Sequence, residues 1–356
     1  YRKKWQVFAE AKSFWNRQKW TIRGNGANVK LKSQLTDDLG TDFFLCQDEA
    51  RKVYISCEAS ENDSRLEIVP HDVANKLYKI KLASEEQYLA CSGKNVVWES
   101  KKNSNSQIWK FETKPDNIHN GADVAGRMCD NENEDENVRA YKLGGEEFVA
   151  RYYARTPRKG EEFNYTWKIL TEAEIKALKK ANISIISIYQ DRGKCYAASQ
   201  IDPDSKNQMV DFSFDKGKEN AYDAYHLAKD LGQPENTAIY FAVDTNIGVN
   251  NGRAEIENYF LGIKEQLEEL KAEYKEKYLE YKVGIYGCGY ICNYIKQNKK
   301  LATYSWLSRS IGYAEHYEYD DPSKYNMKQA DYIWHNGKRF DDCIAVGDDY
   351  GQWLPT

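Results

Sequence analysis

Two hydrophobic rhythms divide the chain. Up to about residue 113 the apolar positions fall in short, strand-length runs split by polar turns, as in 43–46 (FFLC), 53–56 (VYIS), 88–91 (YLAC) and 96–100 (VVWES). Runs of this kind mark hairpins with one face in a core and one in water. Past residue 121 the apolar runs become nearly continuous, in 147–153 (EFVARYY), 183–189 (ISIISIY) and 238–244 (AIYFAVD). Strands so composed are covered on both faces, which calls for a parallel sheet under helices. The stretches between them supply the helices. Thr171 and Glu174 form a capping box that opens one. Residues 218–231 form a second, stopped by Gly232 and Pro234. Residues 253–277 and 290–297 give two more, with strands expected at 283–286 and 304–307.

The short runs repeat. Residues 7–23 (VFAEAKSFWNRQKWTIR) align with 96–112 (VVWESKKNSNSQIWKFE), matching Val7 to Val96, Glu10 to Glu99, Gln18 to Gln107 and Trp20 to Trp109 at one constant spacing. A third copy, 53–68, lies between them and puts Leu66 at the tryptophan position. A strand repeat with a period of about 40–45 residues marks a repeated hairpin unit. Three such units around one core resemble a β-trefoil, and the Gln-x-Trp ending, present twice, resembles the signature of ricin-type trefoils. The resemblance implies that the Trp packs in a shared core while the Gln side chain ties a loop, leaving sugar contacts to exposed loops. The first unit lacks its opening hairpin and Tyr1 opens inside it, so the chain reads as a processed or trimmed product.

Composition mainly excludes. At 356 residues the chain has room for two cores. A net charge of −4 with no basic stripe argues against a nucleic-acid partner. No apolar run approaches the roughly 20 residues of a membrane-spanning helix. Eight cysteines show no paired zinc spacing and five histidines no metal-binding cluster, so no metal is expected. No phosphate-cradling glycine loop opens a helix, so no nucleotide cofactor is expected either. The acidic run 130–137 (DNENEDEN) lacks the rhythm of a calcium loop and reads as solvated. The 27 tyrosines and 9 tryptophans serve either as core or as flat platforms on which sugar rings stack.

The run 230–246 (DLGQPENTAIYFAVDTN), with 282–295 (KVGIYGCGYICNYI), resembles a bacterial family of glycoside-hydrolase-like barrels related to the lysozyme-type muramidases of glycoside hydrolase family 25. Residues 121–125 (GADVA) are similar to that family's first strand, and 170–190 to its helix and third strand. The resemblance implies a two-domain chain: an all-β trefoil-like module over 1–113, a linker at 114–120, and an α/β (β/α)8 TIM-type barrel over 121–356. It further implies a secreted or cell-surface protein that engages a cell-wall polysaccharide, peptidoglycan-like or rich in N-acetylhexosamine. Such a protein acts either as a glycoside hydrolase or as a carbohydrate- or protein-binding surface component whose barrel has lost its acid. The trefoil would offer a further surface for a protein partner.

Glycosidic cleavage uses two carboxyl groups across the scissile bond, and in barrels of this type they sit at the C-terminal ends of strands. Asp123, Asp244 and Asp348 (with Asp349 beside it) meet that condition as catalytic candidates. Asp244 leads, because it follows a fully apolar strand where burial can tune a carboxyl. Family-25 muramidases carry an Asp-x-Glu at this strand, and here the Glu position holds Asn246. Gln190 ends the third strand, where relatives often carry a Glu. Neither amide can act as a general acid, so the proton must come from an aspartate. Arg151, Tyr153, Gln190, Asn246, Tyr286, Trp306 and Gln329 are expected to line the sugar cleft.

Overall fold

In the computed structural model the described residues are 5–6, 20–23, 30–36, 42–47, 53–56, 65–75, 77–92, 95–110, 117–130, 135–155, 166–190, 212–250 and 252–355. They fall into two compact units, Tyr1–Pro115 with Ile333–Arg339, and Asp116–Tyr332 with Phe340–Thr356.

The first unit is antiparallel β. Strands β1 (Trp5–Gln6), β2 (Trp20–Arg23), β3 (Lys30–Thr36), β4 (Asp42–Gln47) and β5 (Val53–Ser56) form one sheet in the order β1-β5-β4-β3-β2. Strands β6 (Leu66–Asp72), β7 (Leu77–Leu82), β8 (Gln87–Ser92), β9 (Asn95–Ser100) and β10 (Trp109–Lys110) form a second, ordered β10-β7-β8-β9, with β6 also pairing β7. One apolar cluster takes Leu31, Leu45 and Val53 from the first sheet and Leu66, Ile80, Leu89, Val96 and Trp98 from the second. Aligned repeat positions therefore share a core: Val53 with Val96, and Leu66 with Trp109, which packs on the cluster's edge. Gln107 is buried, donates to the Ser100 carbonyl at 2.8 Å and accepts from the Lys102 amide at 2.9 Å, tying the loop between them. Trp109 anchors its indole N–H on the Leu89 carbonyl at 2.9 Å. Gln18 and the Trp20 side chain lie outside the described residues.

The second unit is built on a closed eight-stranded barrel: β11 (Ile118–Asp123), β12 (Phe148–Tyr153), β13 (Ser184–Tyr189), β14 (Ala238–Ala242), β15 (Lys282–Gly287), β16 (Tyr304–Leu307), β17 (Met327–His335) and β18 (Lys338–Val346), the last two strands running on into the Ile333–Arg339 hairpin tip. Helices α1 (Glu136–Leu143), α2 (Glu172–Lys180), α3 (Phe214–Asp230), α4 (Arg253–Tyr274), α5 (Gly289–Asn293) and the short α6 (His316–Tyr319) occupy the crossovers from β11 to β17. The capping box of Thr171 and Glu174 is formed at the start of α2. Strands β11 to β17 run parallel. The eighth does not.

Strand β18 pairs β11 antiparallel, from Ile118 opposite Val346 to Asp123 opposite Asp341. This corrects the expectation of eight equivalent βα units. The reason is local: β17 and β18 are joined by Asn336 and Gly337 alone, both left-handed at φ 50° and 72°. That is the backbone of a two-residue hairpin, whereas a parallel return needs a crossover of a dozen or more residues.

The barrel interior is packed with Phe148, Ile186, Tyr240, Tyr304, Trp306 and Met327. Outside it, α3 and α4 approach backbone to backbone at two glycines. A Cβ on Gly217 would stand 2.0 Å from the Tyr259 carbonyl oxygen, and one on Gly262 would stand 2.0 Å from that of Phe214. The 230–246 motif has a structural role in the same layer. Buried Gln233 accepts hydrogen bonds from Tyr153 (2.8 Å) and Ser187 (2.7 Å) and donates to Thr237 and the Ala238 carbonyl, joining β12, β13 and β14.

Candidate active site

Side chains alternate across a strand, and the interior cluster fixes the parity. On β12, Phe148, Ala150 and Tyr152 face inward, which sends Val149, Arg151 and Tyr153 outward to the helices. On β18 the inward positions Cys343 and Ala345 put Asp341 on the same face. Asp123, Tyr152, Tyr286, Gln329 and Asp341 thereby converge at the C-terminal mouth of the parallel strands.

Asp123 is the centre of this group. Its Oδ1 accepts from the Tyr152 hydroxyl at 2.9 Å and its Oδ2 from Gln329 Nε2 at 2.6 Å. Gln329 Oε1 in turn accepts from the Tyr286 hydroxyl at 2.9 Å and from the Arg309 amide at 3.3 Å. Burial pushes the Asp123 carboxyl up to about 8; the adjacent charge of Asp341 and that of Asp244 add to the rise, while the bonds from Tyr152 and Gln329 oppose it. At neutral pH Asp123 therefore holds a proton beside ionisable carboxylates, the arrangement that makes one carboxyl an acid. Burial also lifts the Tyr152 and Tyr286 hydroxyls well above the ordinary phenol range, with the Asp123 and Asp244 charges contributing. Both stay neutral donors.

Half-buried Asp244 follows β14 at the mouth. Asn246 does not stand open beside it, because its Oδ1 accepts from the Ala314 amide at 2.9 Å. Gln190 follows β13 at the rim, where Lys168 Nζ lies 3.4 Å from its Oε1 and 5.3 Å from the centre of the Tyr152 ring. Arg309 is exposed at the rim, its guanidinium 4.2 Å over the Tyr332 ring.

Four expected site residues lie elsewhere. Asp348 follows β18, whose reversed direction carries its end away from the mouth: Gly347 bonds the Asn117 carbonyl before the start of β11, and Asp349 accepts from Tyr304 at the start of β16. Arg151 is wholly buried outside the barrel wall, paired with Glu174 at 2.9 Å. Tyr153 points the same way, onto Gln233. Trp306 is inside the barrel but fully buried, edge-on beneath Tyr286 at 5.0 Å. Asp341, Tyr152 and Lys168 were not anticipated. Reading Asn336-Gly337 as a hairpin would have reversed β18 and brought Asp341 to the mouth. Among the described residues no group of three or more His, Cys, Asp or Glu is placed to hold a metal ion, and no helix is long and apolar enough to cross a membrane.

Comparison with known proteins gives the following. FadG of Bacillus subtilis, an uncharacterised protein, is 29% identical over 233 residues, 64% of this chain and 36% of FadG, so the chain spans about a third of that relative's length. The crystal structure of the Tat-secreted protein Rv2525c of Mycobacterium tuberculosis, in complex with HEPES, matches at a TM-score of 0.45 and 17% identity, covering 67% of this chain and 98% of that one. The modular autolysin LytC of Streptococcus pneumoniae, in complex with a synthetic peptidoglycan ligand, matches at 0.38 and 12% identity, covering 92% of this chain and 72% of that one. The family model of the Rv2525c-like, glycoside hydrolase-like domain matches residues 139–352. The barrel is thus assigned: the chain belongs to the Rv2525c-like family of glycoside hydrolase-like domains.

Proposed function

We propose that the barrel mouth engages a polysaccharide and cleaves its glycosidic bonds, with Asp123 as the general acid and Asp244 as the carboxylate that serves as nucleophile or as base toward water. The observation that carries this reading is the buried Asp123 carboxyl, raised to about 8 beside Asp341 and Asp244. A protonated carboxyl with a second carboxyl near it is the pairing that glycosidic cleavage uses. Asp341 keeps the proton on Asp123, and Tyr152 and Gln329 fix its orientation. Exposed large apolar side chains follow two strand C-termini, Trp167 between β12 and α2 and Ile311 between β16 and α6, and Tyr332 of β17 lies under the Arg309 guanidinium. Such faces stack on the C–H faces of sugars, which favours a glycan over a small polar metabolite. Gln190 and Asn246 would bind rather than react.

The test is release of reducing ends from peptidoglycan and from N-acetylhexosamine oligomers. Asp123→Asn and Asp244→Asn should each lose roughly 10²- to 10⁴-fold, the range of a general acid or base. Binding by wild type with no turnover on any of these glycans would leave a carbohydrate-binding barrel, the reading favoured by Asn246 standing at the muramidase acid position and tied to Ala314.

We propose further that residues 1–113 form a ricin-type trefoil-like module that holds the barrel on its glycan, the expected linker 114–120 giving its last three residues to β11 of the barrel. The repeat alignment and the loop-tying bonds of Gln107 support this. A secreted or cell-surface setting is part of the same reading, since Rv2525c, for which the family is named, is Tat-secreted. Cell fractionation tests that setting, and glycan binding by the full chain with and without substitutions in the 65–110 loops tests the module.

A further inference from the structure

We propose that the buried Arg151–Glu174 pair is a positioning device for the acid site, holding the backbone that follows Asp123 and the turn that carries Lys168. The pair lies outside the barrel wall and touches no solvent. Arg151 Nε and Nη2 meet the two Glu174 oxygens at 2.9 and 3.2 Å. Its Nη1 donates to the Val124 carbonyl and, at 3.2 Å, to that of Ala125, the two residues after Asp123. Its Nη2 also reaches the Lys168 carbonyl at 3.3 Å. Glu174 completes the network from the other side, accepting from the Met128 amide at 2.9 Å and from the Thr171 amide and hydroxyl at 3.2 and 3.3 Å.

One ion pair thus joins β12, the segment after β11, the turn before α2 and the α2 cap. Three of these segments carry or directly follow a group of the site: Asp123 immediately before the segment after β11, Lys168 against the Tyr152 ring and, from β12 itself, Tyr152, whose hydroxyl bonds Asp123. A buried ion pair is seldom more stabilising than apolar side chains of the same volume. The directions of its bonds are what apolar residues could not reproduce. Only a guanidinium supplies three nitrogens in one plane; lysine has a single nitrogen to offer. Arg151 and Glu174 are positioning residues, acting through Asp123 and not on a substrate.

This inference rests on Asp123 as the site's acid, but its test needs no glycan and survives failure of the hydrolase reading. In the full chain, with aspartate carboxyls labelled with 13C and the Asp123 signal assigned from Asp123→Asn, the titration of Asp123 is followed by NMR. Asp341, Asp244, Tyr152, Tyr286 and Cys343 bear on this carboxyl and remain in place in every variant. The double variant Arg151→Met/Glu174→Leu removes both charges and strands neither. Its Asp123 midpoint should fall by about one pH unit or more, a tenfold gain in acidity, as the carboxyl leaves its dry seat. Arg151→Lys should show the same fall, since a single nitrogen cannot rescue the three directions. If the double variant does not fold, Glu174→Gln, which keeps shape and cap, and Arg151→Lys carry the test. An Asp123 midpoint unchanged from wild type in the folded variants would overturn the proposal and leave the pair a purely structural contact.

Discussion

Asp123 and Asp341 stand opposite each other on the rung where β11 and β18 pair nearest the barrel mouth, and their side chains enter that mouth together. Like charges directly across a ladder repel. A proton on one of them removes the repulsion, and the buried member, Asp123, keeps it. Three expectations follow from this pair and its partners, and a fourth from the helix layer outside the barrel.

Asp341→Asn should make Asp123 more acidic. The Asp341 charge is the largest influence after burial that raises the Asp123 carboxyl. Removing it should lower the midpoint by roughly one unit, the order of a close like-charge effect. Carboxyl NMR reads this directly, and an unchanged midpoint would show that the Asp341 charge does not set it.

Gln329→Leu should act in the opposite sense. Gln329 donates to Asp123 and so favours its charged form. Without that bond the Asp123 midpoint should climb above about 8. The Tyr286 hydroxyl loses its acceptor in the same variant, so a stability loss of about 1–3 kcal/mol for an unsatisfied buried group should accompany the shift.

Asp123 should make the protein less stable as pH rises. Below its ordinary value of 3.8 the carboxyl is protonated in both folded and unfolded chains. Between there and about 8 the unfolded chain releases the proton while the folded chain keeps it, so unfolding is favoured progressively. Above that window the loss is complete. Asp123→Asn should flatten this slope in denaturant melts taken from pH 4 to 9, and be the more stable protein at the upper end. A variant with the wild-type slope would mean that Asp123 titrates normally in the folded state.

Gly262→Ala should destabilise without touching the mouth. Its Cβ meets the Phe214 carbonyl at 2.0 Å, backbone that cannot rotate away. Overpacking of this kind costs about 1–3 kcal/mol. Thermal melting should record the loss, while the Asp123 titration stays where it was.

How much of this was legible in the sequence depended on what each residue's neighbours reveal. Asp123 and Gln329 were readable as strand residues near the mouth, and both reach it. Arg151 and Tyr153, near a strand end, are expected in the cleft but face outward; β12 is apolar on both faces, and such a strand does not announce which parity looks inward. Inward Ala150 and outward Val149 are equally apolar. The place of Asp348 depends on one turn: a parallel β18 would end at the mouth, whereas the Asn336-Gly337 hairpin puts that end at the far side. The same turn hid Asp341. Glu174 was legible as a cap, but its bonds to Arg151 and Met128 connect segments whose proximity only the folded barrel creates.

The seam between β11 and β18 joins the first and last strands of the barrel, and it is there that the two aspartates meet. The chemistry at this position is therefore not a property that any fragment of the chain possesses. Strand β18 brings the Asp341 charge to Asp123 and helps to wall it from water, and these two influences raise its carboxyl most.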